Sequence, residues 1–360
     1  MNDNESMCFL GEQAGKENLV EMANREAVQL TNSRVTGARV PRTDFGRTGL
    51  KVSRIGFGGM ELAGPPRSPK LSSGQARNLI LAAMDMGINY FDTSIDYGIS
   101  EELIGHAVRH RRDEVILATK CGCLVGAEDK GESTHVYTHS NIRDGVAQSL
   151  KRLNTDYIDV MQFHGNPTRR QLVEEGGLEM LMELKRKGII RHIGLSTRKP
   201  YVNELLDLDI LDVYQLPYSS IQRQHEDVAE LVSKSGRAVV ARGVVARGSV
   251  AKEWSSIPIG MADGQAQNIW DKANIDELLG GMSRIEFMIR FVVTSQWVNV
   301  VLTGTTNLAH LEENITAAEK GALDADMYDA VLERLTAAGS FPGDSEYTRG
   351  GPKPPTGAKK

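Results

Sequence analysis

Cysteine is scarce, with only three in 360 residues. Such a count builds no disulfide framework and points to a reducing compartment. No apolar run approaches the roughly 20 residues that a membrane span requires. Positive charge is not in excess either, since 42 Lys plus Arg face 47 Asp plus Glu for a net charge of −5. That balance argues against a protein that binds a phosphate backbone. The first residues, Met1 to Ser6, carry neither the basic segment nor the apolar core of a secretory signal. The expectation is a cytoplasmic, soluble protein with no nucleic-acid and no membrane partner. Its oligomeric state is left open.

The ends differ from the middle. Residues 1–42 are polar, with a helical pattern near Glu17–Leu30, and read as an N-terminal extension. Residues 339–360 carry Pro342, Pro352, Pro354 and Pro355 among glycines and read as a loosely held tail. Between them, residues 43–338 alternate short β-branched runs with helical ones. The expected strands are Ser53–Gly56, Tyr90–Asp92, Val115–Thr119, Ile158–Gln162, His192–Leu195, Val213–Gln215, Ala238–Ala241 and Val300–Thr303. Short, continuously apolar runs suit strands buried on both faces. Helices are expected over Gln75–Met86, from a Ser140 cap to Leu153, and over Leu178–Lys187 before Gly188. Eight strand–helix units in order imply an α/β fold, a parallel (β/α)8 barrel of the TIM type. Lys51-Val52 is placed to form a small hairpin at the barrel bottom. A dinucleotide fingerprint of the Rossmann type would need a glycine at 61, where Glu61 stands.

Chemistry in such a barrel sits at the C-terminal ends of the strands. The polar groups there are Asp92 with nearby Tyr97, Lys120, His164, Ser196, Gln215 and the Arg242–Gly248 loop. The first four form an acid–base set. A carbonyl reduced by hydride must receive a proton, and a phenol can give it. An adjacent ammonium lowers the phenol's pKa from about 10. Asp92 would hold Lys120 charged, and His164 would orient the substrate oxygen. A nicotinamide would supply the hydride.

Several motifs in order resemble the aldo-keto reductase superfamily. They include Gly46-Arg47-Thr48-Gly49-Leu50-Lys51-Val52-Ser53, Phe91-Asp92-Thr93-Ser94 with Tyr97-Gly98, Ala118-Thr119-Lys120 and Gln162-Phe163-His164. Asp156-Tyr157-Ile158-Asp159, Gly188 through Ser196, and Glu312-Glu313-Asn314 continue the match over about residues 43–338. The resemblance implies an NADPH-dependent carbonyl reductase, acting reversibly on an aldehyde or ketone. It makes Tyr97 the proton donor, Lys120 and Asp92 its tuners and His164 the substrate orienter. By the same resemblance Ser196 and Gln215 hold the nicotinamide carboxamide. Gly59 and the loop from Gly243 to Gly248, with Val245 and Arg247, contact the cofactor. Gly304, Thr305, Thr306, His310, Glu313 and Asn314 hold its adenosine end.

Three departures stand out. Arg242 occupies a position where relatives often stack an aromatic on the nicotinamide. His310 stands where relatives often place an arginine for the 2′-phosphate, so NADP(H) is preferred and NAD(H) is not excluded. Third, Ala251–Leu279 is a long insertion, and Met60, Tyr218, Trp254 and Trp270 are the candidate substrate lining. Cys121, Cys123, His135 and His139 offer four soft ligands within one loop, but their spacing matches no recognised zinc motif, and no resident metal is expected. The alternative to an enzyme is a catalytically weak nucleotide-binding regulatory or scaffold protein on the same barrel.

Overall fold

The computed structural model describes residues 40–126, 134–246 and 265–343. Two short strands, β1 (Arg42–Asp44) and β2 (Lys51–Ser53), pair antiparallel with Thr43 opposite Val52. Eight parallel strands follow: β3 (Ile55–Gly58), β4 (Tyr90–Asp92), β5 (Ile116–Cys121), β6 (Ile158–His164), β7 (Ile190–Ser196), β8 (Val213–Pro217), β9 (Ala238–Arg242) and β10 (Val300–Thr303). They pair in sequence order, and β10 returns to β3 to close the barrel. The helices between and after them are α1 (Ser73–Asp85), α2 (Ser100–Val108), α3 (His139–Leu153), α4 (Arg169–Glu174), α5 (Gly177–Arg186), α6 (Glu226–Lys234), α7 (Gln265–Lys272), α8 (Arg284–Thr294), α9 (Leu308–Glu319) and α10 (Ala325–Ala337).

The fold is the expected (β/α)8 barrel, with two local differences. Ser53 ends the hairpin rather than opening the barrel, because its N–H donates to Asn89 Oδ1 and the next barrel strand starts at Ile55. The third helix starts at His139, since Thr138 holds an extended backbone and its hydroxyl accepts from the Asn141 N–H. Ser140 is therefore the second helical residue, not the cap.

The hairpin closes the barrel bottom as expected. Phe45 and Val52 are fully buried there, with the Phe45 ring edge-on to Tyr90 at 5.4 Å. Burying one such ring contributes about 1.5–3 kcal/mol. Above this plug the inward positions are apolar: Ile116, Ala118, Val160, Val213, Val240 and Val300 share one cluster with Tyr90. The strand period is two, so the next inward positions are Asp92, Lys120, Gln162 and Gln215. The same face of the same strands is thus apolar at the bottom and polar at the top.

The barrel unit starts slightly upstream of residue 43, because Val40 is already buried and Arg42 opens β1. At the other end Ser340 is buried, donating to the Ser220 carbonyl at 2.8 Å and accepting from Arg223 at 3.1 Å. The first residues beyond 338 are therefore docked. The helical pattern at Glu17–Leu30 and the prolines Pro352, Pro354 and Pro355 lie outside the described residues.

Candidate active site

Asp92 is the hub of the polar layer. The Lys120 ammonium donates to its Oδ1 at 2.5 Å and to the Thr93 carbonyl at 2.7 Å. Gln162 and Gln215 both donate to Oδ2, at 2.9 and 2.8 Å. Ser196 then donates to Gln215 Oε1 at 2.8 Å. The register explains the convergence: Asp92 pairs with Ala118 on β5, Lys120 with Gln162 on β6, and Ser196 with Gln215 on β8. Gly194 on β7 leaves the room, since a Cβ there would stand 2.9 Å from Gln162 Cγ.

Lys120, Asp92, Gln162 and Gln215 are all buried. Removing an ammonium from water opposes its charge, but the Asp92 carboxylate, then Tyr97, outweigh that cost and hold the Lys120 pKa above the ordinary value. A charged pair in this setting depends on its geometry being complete.

Tyr97 lies over this pair. The Lys120 ammonium stands over the ring face, 4.8 Å from its centroid. The His164 ring meets it edge-on at 6.2 Å. Burial dominates the phenol and raises its pKa, with Asp92 and Asp96 adding to the rise and Lys120 and Arg242 working against it. The expectation that Lys120 leaves Tyr97 more acidic than a free phenol is therefore corrected: desolvation wins, and the ammonium limits the rise. The phenol stays protonated at neutral pH. Burial likewise holds the His164 imidazole down at about 3, against the pull of Asp96, so His164 is neutral near pH 7. Its Nδ1 lies 3.2 Å from Cys123 Sγ and 3.6 Å from Asp96 Oδ1.

Beside His164 a cavity of about 170 Å³ opens at the barrel mouth, lined by Gly165, Asn166, Ser196, Arg198 and Arg242. It has room for one small ring. Across the mouth, Asn307 caps α9 by accepting from the Ala309 and His310 N–H groups, and Thr305 Oγ1 accepts from the Asn307 N–H. Gly304, Thr305 and Thr306 precede this helix start, a polarity that favours an anion. His310 and Glu313 are exposed, Asn314 is buried, and Glu313 accepts from Ser283 at 2.9 Å. Gly59 is buried and packs on α2, its carbonyl accepting from Ser100. Met60 is half-buried in the turn after β3, and Val245 is half-buried in the loop after β9.

The profile of the aldo/keto reductase family matches residues 54–335. The chain belongs to the aldo/keto reductase family. It is an NAD(P)H-dependent oxidoreductase that acts on carbonyl groups of small molecules. It is 30% identical over 303 residues to an uncharacterized oxidoreductase, YqkF, of Bacillus subtilis, covering 80% of this chain and 94% of that one. An NADH-specific methylglyoxal reductase of Escherichia coli is 33% identical over 200 residues, covering 51% of this chain and 60% of that one. Among solved structures, the holo form of aldo-keto reductase AKR11C1 from Bacillus halodurans superposes with a TM-score of 0.70 at 28% identity, covering 82% of this chain and 96% of that one.

Several sequence expectations about the reductase change with its tertiary structure. Gln215 is already paired within the protein, accepting from Ser196 and donating to Asp92. Trp270, an expected pocket residue, is buried among the described residues, edge-on to Phe287 at 5.5 Å, with its indole N–H donating to Asp276. Tyr218 is also buried, packed on Phe291 of α8 at 6.3 Å. Both rings face the layer between barrel and helices, where apolar area is shielded from water. Arg247, Gly248 and Trp254 lie outside the described residues. Sequence reasoning missed Gln162, Asp96, Asn166 and Arg198. Gln162 was open to detection, since it lies two residues before His164 on one strand and so shares its inward face. Among the described residues no helix is long and apolar enough to cross a membrane.

Proposed function

We propose that the protein reduces an aldehyde or ketone with NADPH, and that Tyr97 delivers the proton. The observation that carries this reading is the buried Lys120–Asp92 pair beneath the Tyr97 ring, with His164 edge-on beside it. A bound nicotinamide supplies the hydride. Tyr97 is held protonated at neutral pH and so enters the reaction loaded as an acid. Lys120 stabilises the phenolate left behind, and Asp92 keeps Lys120 charged and in place. His164, neutral near pH 7, orients the carbonyl oxygen through a hydrogen bond rather than by acting as the acid.

Ser196 and Arg242 border the small-ring cavity. Ser196 and Gln215, which accepts from it, are the proposed partners of the carboxamide, and Gly59 and Arg242 are proposed cofactor contacts. The Gly243–Gly248 loop, with Val245 and Arg247, is the proposed pyrophosphate contact. Gly304, Thr305, Thr306, His310, Glu313 and Asn314, at the α9 start, are the proposed adenosine site. Met60 remains a proposed substrate contact. The preference for NADPH rests on the family resemblance, and His310 in place of an arginine weakens it. The test is Tyr97→Phe, followed by NADPH oxidation against a panel of aldehydes, ketones and sugars. Turnover should fall by about 10² to 10⁴, or about 3 to 5.5 kcal/mol, with cofactor affinity retained. Unchanged turnover removes Tyr97 from the mechanism.

A further inference from the structure

The four soft ligands of the Cys121–His139 stretch do not assemble. Cys121 turns into the core, with its thiol 3.5 Å from the Gln162 carbonyl, and His139 lies on the surface, 3.9 Å from Glu183. Two of the four instead meet a third residue from another strand. Donor atoms of Cys123, His135 and His164 all lie within 4.8 Å of one another. Cys123 Sγ and His164 Nδ1 are 3.2 Å apart. A tetrahedral zinc with bonds of about 2.0 Å to nitrogen and 2.3 Å to sulfur spaces its ligands at about 3.3–3.8 Å. The cluster is thus near that geometry and needs side-chain movements of about 1 Å to close on a cation.

The three groups are also held in place by backbone. Cys123 and His135 face each other across an antiparallel bridge, flanked by Leu124 N–H to Thr134 O at 2.9 Å and Val136 N–H to Gly122 O at 2.6 Å. Asn141 ties both sides, donating to the Cys123 and Val136 carbonyls. His135 stacks on Tyr137 and meets His164 edge-on at 5.2 Å. Tyr137 in turn donates to the His164 carbonyl at 2.7 Å. Gly165, at φ +87°, admits the His135 ring, since a Cβ there would stand 2.9 Å from it. The Asp96 carboxylate, 3.6 Å from His164 Nδ1, adds negative charge at the edge of the cluster, while Asp92 already neutralises Lys120.

We propose that Cys123, His135 and His164 form an inhibitory site for a borderline-soft divalent cation of the zinc type. One thiolate and two imidazoles are a donor set such cations accept. Binding displaces the thiol proton to solvent. It also occupies the imidazole that orients the substrate, so the reductase stops while the cation is held. The inhibition, though not the binding, rests on the role proposed above for His164.

The test uses the full chain, with cobalt(II) as the spectroscopic probe and zinc as the inhibitor. Cobalt should produce a thiolate charge-transfer band at one equivalent, absent in Cys123→Ser. Zinc should inhibit NADPH oxidation in the wild type. His135→Gln should keep the basal rate and need at least about tenfold more zinc, since even a change outside the ligand sphere costs about 10–100-fold in affinity. No band at one equivalent overturns the site, as does zinc inhibition that is equal in wild type, Cys123→Ser and His135→Gln. A band in the wild type without inhibition sustains the site and instead removes His164 from the proposed chemistry.

Discussion

Replacing Lys120 by methionine separates chemistry from stability. The lysine side chain is 0% exposed and its partner Asp92 3% exposed, at 2.5 Å. Methionine fills similar volume but leaves Asp92 buried with only the Gln162 and Gln215 amides as partners. Breaking a buried pair by removing one member costs about 3–5 kcal/mol. Turnover should also fall by about 10² to 10⁴, because Tyr97 loses the cation that limits its pKa. The double variant Lys120→Met with Asp92→Asn removes the stranded charge. It should regain part of the lost stability and none of the lost activity. Denaturant unfolding measures the first quantity and steady-state NADPH oxidation the second. If Lys120→Met unfolds like wild type and loses only cofactor affinity, the ion pair neither supports the barrel nor tunes the phenol.

His164 makes stability sensitive to acid. Its folded pKa of about 3 lies below that of a free imidazole, so the unfolded chain takes up the proton first and stability falls as pH drops through 6.5 toward 3. His164→Gln should therefore lose about 1–2 kcal/mol less than wild type between pH 7 and pH 5 in chemical denaturation, and parallel curves would refute the burial argument. His310→Arg places a guanidinium at the exposed first turn of α9 and should shift the kcat/KM ratio toward NADPH. An unchanged ratio would show that position 310 does not face the 2′ group.

The catalytic-type residues were legible because barrel chemistry gathers at strand ends, and short apolar runs mark those ends. Asp92, Lys120 and His164 each lie in the last two residues of their strands. Their support was harder to see. Asp96 reads as a loop residue until His164 is brought beside it. Trp270 reads as a pocket wall because it lies in an insertion, whereas its ring is buried against Phe287 and its indole N–H donates to Asp276.

The order of strands, the helical punctuation and the residue types at strand ends are local properties, carried by periodicity and glycine, so the linear chain alone determined a closed parallel barrel with an acid–base mouth. Which buried groups satisfy each other is a matter of register between strands far apart in sequence. Only folding brought Gln162 and Gln215 onto one carboxylate, let desolvation outweigh Lys120 at the Tyr97 phenol, and set His164 against Cys123 and His135. Electrostatic energies inside a protein depend on distance and burial together, and neither exists before the chain is packed.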